Sequence, residues 1–219
     1  MNINEYQNYH ETKAHTSAEF PYNTYLCSIP LDFPGVPLHW HDELELVVIK
    51  RGQGFVSVDF DKRLVHSGDI IIIPPRCLHA IEQDDTFKME YENIIFKPDL
   101  LSSGANDLCM IQYIVPLLDG SLPIEYFLTP ALGSFEALSN CIRQIDLVCA
   151  DQTPGWQLAV KSSLFNFFFL LISERQKKTV STSSNSKSLE KMKTPLQYVE
   201  NHYTLMTWLN LLIIVNPIS

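Results

Sequence analysis

Between residues 38 and 96 the chain alternates short apolar runs with polar turn residues, a pattern that predicts strand after strand. Residues 44–49 are apolar except Glu45, as expected of a strand covered on both faces. Residues 55–60 (FVSVDF) alternate, with Val56, Val58 and Phe60 on one side and Ser57 and Asp59 on the other, and a polar DKR turn follows. Residues 70–73 are four isoleucines stopped by Pro74 and Pro75, and their β-branching favours a strand. Residues 87–92 alternate again, placing Phe87, Met89 and Tyr91 opposite a solvated face of Lys88, Glu90 and Glu92. Short strands divided by turns point to a sandwich or barrel. Residues 1–35 predict an irregular arm with one or two edge strands, with His10 and His15, like His66, at the surface.

After Pro98 the period changes. Phe135, Leu138, Ile142, Ile145 and Cys149 recur at three-four spacing, one stripe of a helix for which Ser134 is a suitable N-cap. A second helix is expected over 156–176, after the break at Thr153-Pro154-Gly155. Its apolar density is so high that it is either buried nearly all round or meets a partner chain on one side. Residues 177–188 (KKTVSTSSNSKS) read as a flexible linker, and Leu189, Met192, Leu196, Val199 and Tyr203 then return to helical spacing.

Composition narrows the class. The 219 residues, 46% hydrophobic, suffice for a real core, and a net charge of −9 argues against broad electrostatic affinity for nucleic acid. The five cysteines are scattered and form no Cys-x-x-Cys pair, so reduced core thiols are expected. The polar N-terminus has no signal-peptide core, and the apolar runs 164–172 and 205–215 fall short of the ~20 residues of a membrane span. A cytoplasmic chain with no membrane partner is expected.

The candidate chemistry sits in HWHDELEL, residues 39–46. On a regular strand His39, His41 and Glu45 share one face, which Val47 and Ile49 continue as apolar core, although a bulge at Asp42-Glu43 would break the alignment. That is the layout of a pocket at a barrel mouth. Trp40 has the opposite parity and is expected to pack on the outer face. His79, following the 70–73 strand and a proline break, could be aimed at the same cluster by a returning strand. Three imidazoles and a carboxylate suit Zn, Fe, Mn, Ni or Cu in the divalent state. Three readings stay open: a bound metal, a metal-free polar pocket for an effector, or polar groups satisfied internally. Arg76, beside His79, could clamp an anionic group or lie exposed in its loop.

His39-x-His41-x3-Glu45-x6-Gly52 resembles the first cupin motif, and Gly68-x5-Pro74 followed by His79 resembles the second, with Arg76 at the usual second glycine and Gln83 at the usual asparagine. These motifs, two following helices, a polar linker and TPLQYVENHY together look like an AraC-type transcriptional regulator. The resemblance implies a mainly β fold, a cupin-type jelly-roll barrel followed by a helical pair. It also implies a small effector of the sugar or organic-acid class, bound near His39, His41, Glu45, His79 and Arg76, in a homodimer. The implied division is a sensor barrel with its arm (1–98), a helical dimerisation region (99–176), a linker (177–188) and the truncated start of a helix-turn-helix domain (189–219). DNA binding is then expected only of a full-length form. The alternative is a metal-dependent cupin enzyme, a dioxygenase or isomerase, with His39, His41, Glu45 and His79 as ligands.

Overall fold

The computed structural model describes residues 3–102 and 107–182, and the side chains of 5–102 and 107–175. A short helix, α1 (Ile3–Gln7), opens the arm. Eight strands follow: β1 (Tyr22–Ile29), β2 (Gly35–His39), β3 (Leu44–Val58), β4 (Asp61–His66), β5 (Ile70–Ile73), β6 (His79–Gln83), β7 (Met89–Phe96) and β8 (Phe127–Leu128). Helix α2 (Val115–Leu118) precedes β8, and α3 (Phe135–Asp151) and α4 (Trp156–Thr182) close the described chain.

The strands form a double-layered antiparallel jelly roll that shares β3. The first half of β3 lies in the order β1-β7-β3-β5-β8, and its second half pairs with β4 and β6, with β2 beyond β6. β1 is an edge strand, as expected. β8 pairs with β5, so the chain returns to the barrel after residue 98.

Parity explains the two cores. Leu44, Leu46, Ile70, Ile72, Ile94 and Phe96 face outward and join Leu138, Ile142, Val160, Leu164, Phe167 and Phe168 of the helices. Val47, Ile49, Ile71 and Ile73 face inward with Val56, Val58, Ile81, Met89 and Tyr91. Every residue of β5 is therefore buried on one side or the other, and each large side chain so covered contributes about 1.5–3 kcal/mol.

β3 changes layers at a bulge. Its register with β7 shifts between Ile49 and Arg51, and Gly52 follows with φ +77°. A Cβ on Gly52 would lie 1.8 Å from the Lys88 carbonyl oxygen, so no other residue fits this crossing.

Three expectations about side chains are corrected. Phe60 is exposed rather than aligned with Val56 and Val58, because Asp59 and Phe60 (φ 49° and 68°) form the left-handed two-residue hairpin turn and DKR begins β4. Phe87 likewise lies exposed in the turn before β7. Glu92 is buried rather than solvated: Thr24 donates to it at 2.9 Å and it pairs with Lys50, which also reaches Asp146 of α3. The helix covers that side of the sheet.

The helices also differ in extent. α4 runs through Thr182, into the stretch expected to be linker, and residues 183–219 lie outside the described residues. By length and composition its segment Trp156–Arg175 would suit a bilayer, a match missed by counting contiguous apolar residues alone. Here Val160, Leu164, Phe167, Phe168 and Leu171 pack against the barrel. None of the five cysteines is in a disulfide, and Cys109 is exposed rather than in the core.

Gly52→Ala is expected to lower stability by more than about 2 kcal/mol, read as a fall in urea midpoint at unchanged m-value. Gly133→Ala, whose Cβ meets nothing closer than 4.0 Å, should stay within about 1 kcal/mol of the parent.

Candidate functional site

His39, His41, Glu45 and His79 converge, but not as one regular strand would bring them together. β2 ends at His39, residues 40–43 leave the strand conformation as the chain crosses between layers, and β3 begins at Leu44. His39 therefore belongs to one layer, Glu45 to the other, and His41 to the corner. β6 returns antiparallel to β2 and sets His79 directly opposite His39. The ligating nitrogens of His39, His41 and His79 all lie within 4.8 Å of one another.

The protonation geometry is constrained. His39 Nδ1 donates to the Pro37 carbonyl and His79 Nδ1 to the Cys77 carbonyl, both at 2.9 Å. A carbonyl only accepts, so each neutral ring carries its proton on Nδ1 and turns the Nε2 lone pair into the cluster. His41 Nε2 donates to Glu45 Oε2 at 3.0 Å, and His79 Nε2 lies 3.3 Å from the same oxygen without a satisfying hydrogen bond. Burial pushes the Glu45 carboxyl up, but the hydrogen bond from His41 and the proximity of both the His41 and His79 imidazoles outweigh it and hold Glu45 well below the usual carboxylate range. Burial pulls His41 down, yet Glu45, Glu43 and Glu11 raise it above its ordinary value. His39 is lowered, by burial and by His79.

A neutral His79 would set one acceptor against another at Glu45. A proton or a cation relieves this contact, and the His39, His41 and His79 triad could hold a divalent metal, to which His39 and His79 would offer Nε2. When bound, such a metal supplies a Lewis-acidic centre on which an oxygen-bearing ligand can sit.

The cluster opens into a cavity of about 560 Å³ lined also by Tyr25, Phe33, Val36, Ile81, Tyr91 and Asn93. Tyr91 Oη is buried and unpartnered, and burial keeps the phenol neutral.

Arg76 is not part of this cavity. It occupies a left-handed turn (φ 63°), the conformation that glycine adopts at low cost, and its half-exposed side chain binds Asp42 at 2.8 Å. Its backbone N–H supports the His41 carbonyl at 2.7 Å, so Arg76 braces the corner rather than clamping a ligand.

His15 is the main residue that sequence reasoning misplaced. It lines the cavity, its ring centroid 5.6 Å from that of His41, with Glu11 between it and His39. The arm is anchored at Trp40, which is buried and stacks with Tyr6 (4.8 Å) and with exposed His10 (4.1 Å). Backbone bonds between Trp40 and both Tyr9 and Glu11 complete the anchor. The arm has no periodicity to betray this, and a four-residue Glu-His spacing is a weak signal. His66 is exposed, as expected.

With this geometry in place, comparison with known proteins decides the family. A model of the AraC-like ligand binding domain matches residues 25–168. The chain belongs to that family. Two proteins of Bacillus subtilis (strain 168), named as uncharacterized HTH-type transcriptional regulators, are similar to this AraC-like chain. YdeC is 24% identical over 198 residues, 90% of this chain and 67% of that protein. YbfI is 22% identical over 174 residues, 80% of this chain and 58% of that protein, so the chain spans roughly two thirds or less of their lengths. Among solved structures, a cupin protein from Bacteroides fragilis is 22% identical with a TM-score of 0.33, covering 42% of this chain and 75% of that one. A Cupin 2 conserved barrel domain protein from Salinispora arenicola CNS-205 is 23% identical with a TM-score of 0.31, covering 35% and 64%.

Glu45→Gln is expected to cost this AraC-like domain about 3 kcal/mol, since it leaves buried imidazoles without their counter-charge. The depressed Glu45 contributes stability that is present above the unfolded carboxyl value and lost as pH falls through its folded value. The raised His41 contributes stability that is present below its unfolded value and lost as pH rises through its folded one. Denaturant titrations should therefore find the gap between parent and variant widest at roughly pH 4.5–6.5 and narrower on both sides.

Proposed function

We propose that the chain is the effector-sensing part of a transcriptional regulator. A small molecule of the sugar or organic-acid class enters the barrel cavity, and its polar groups meet His39, His41, Glu45 and His79. The observation that carries this reading is the set of buried polar atoms without a hydrogen bond, His41 Nδ1, His79 Nε2 and Tyr91 Oη, lining a cavity of about 560 Å³ in a ligand-binding family. Such atoms cost free energy until a ligand satisfies them. The site works as a sensor rather than a catalytic centre, in a cytoplasmic protein whose full-length form binds DNA through a further domain; the names of the two B. subtilis relatives support this role.

The sensor acts as a homodimer. α4 carries a second apolar stripe, Leu158, Phe165 and Phe169, opposite the side buried against the barrel, and all three are exposed in the single chain. The spacing of seven and four puts them on one helical face, which a second copy can cover. Effector occupancy would then shift the balance between two arrangements of the paired domains.

A second reading is favoured by the imidazole triad: a divalent metal of the Zn, Fe, Mn or Ni type held by His39, His41, His79 and Glu45, either as the sensed species or as the anchor for an effector.

A thermal-shift screen of sugars, organic acids and divalent metals should yield at least one ligand that raises the midpoint by several degrees, with the shift lost in His79→Ala. A set of ligands that shift parent and variant alike would sink the cavity as the sensing site. Light scattering should find the parent as a dimer and Phe165→Glu/Phe169→Glu as a monomer of unchanged circular dichroism.

A further inference from the structure

The arm brings its own ionisable groups to the cluster. Glu11 Oε2 lies 3.0 Å from His15 Nε2 and 3.4 Å from His39 Nε2. Its position is set from both sides. The Glu11 N–H donates to the Trp40 carbonyl at 2.9 Å, and the His15 carbonyl accepts from Asn23 Nδ2 at 2.9 Å and Tyr25 Oη at 3.1 Å. The three barrel imidazoles are thus flanked by three carboxylates: Glu45 on the side of His41 and His79, Glu43 at 3.6 Å from His41 Nδ1, and Glu11 on the side of His39.

The contact between Glu11 and His39 repeats the one between Glu45 and His79. His39 has committed Nδ1 to the Pro37 carbonyl, so the neutral ring presents an Nε2 lone pair to a carboxylate oxygen. Two acceptors at this distance gain from a cation shared between them. His15 Nδ1 is also buried without a partner, so the arm side of the cavity is no better satisfied than the barrel side.

We propose that Glu11 of the N-terminal arm is a ligand of the metal that the barrel histidines hold, with His15 orienting it, so that metal binding fastens the arm to the barrel. The proposal rests on the metal reading of the site. It adds a ligand from outside the barrel, and it makes arm docking and metal occupancy reciprocal: each strengthens the other by the same factor. Lys13, exposed between the two arm residues, places a trypsin site inside the segment that is fastened.

The test uses Zn²⁺ on the full chain, with calorimetry for affinity and trypsin cleavage after Lys13, followed by mass spectrometry, for the arm. The parent should bind about one Zn²⁺ per chain and be cleaved at Lys13 several-fold more slowly when loaded. Glu11→Gln should weaken Zn²⁺ by ~10-fold or more, abolish the metal-dependent protection, and change the visible spectrum of the Co²⁺-substituted protein. Glu19→Gln, an exposed arm carboxylate, should match the parent in all three. If Glu11→Gln keeps parental Zn²⁺ affinity and the parental Co²⁺ spectrum while His39→Ala and His79→Ala lose binding, the metal site stands and the arm ligand is overturned. A parent that binds no Zn²⁺ overturns the metal reading itself, and the arm ligand with it.

Discussion

A carboxylate buried on the inner face of β3 constrains everything around it. Glu45 is 3% exposed, between the apolar inner core and the cavity, and stays ionised only because His41 and His79 surround its oxygen. An ionised group so placed is stable only if its partners are held in register. Much of the barrel's local design serves that end: the corner at residues 40–43 turns His41 inward, and the β2–β6 pairing places His79 across from His39. The arrangement is stable but not satisfied, since buried nitrogens remain without partners. A site that folds around a charge yet leaves polar atoms open is prepared for a ligand.

The arm ties this site to the helices. It is anchored at Trp40, between two of the site histidines in sequence, and its far end sets Phe20 edge-on to Trp156 at the start of α4, 5.1 Å between centroids. One continuous segment therefore touches both the cavity and the helix with the exposed apolar stripe. That shared segment is the physical link between the cavity lining and the helix.

Much of the barrel was legible in the sequence because strand patterning is local. The 70–73 isoleucines, the 44–49 run and the alternation at Met89 and Tyr91 each declare which faces are covered. Where patterning failed, a distant element had intervened. Glu92 looks solvated in its own strand and is buried because Asp146, fifty-four residues later, comes with α3 over that side of the sheet. Phe60 reads as a core position and is exposed because the two-residue turn claims it. The barrel members of the site were legible as residue types at motif spacing. Their alignment on one strand was the wrong reason: the chain breaks at the corner, and the two layers restore the convergence.

By itself the sequence determined the alternation that makes a barrel, the helical stripe that packs on it, and the identity of three imidazoles and a carboxylate at spacings that only a closed sheet can exploit. Tertiary structure alone decided that Arg76 braces the corner instead of facing the cavity, that Glu92 is internal, and that Glu11 and His15 complete the ring around His39 and His41. The reason is the range of the forces involved. Alternation and helical stripes follow from backbone geometry over a few residues, whereas the placement of an irregular arm depends on which aromatic surface, here Trp40, is left for it to cover.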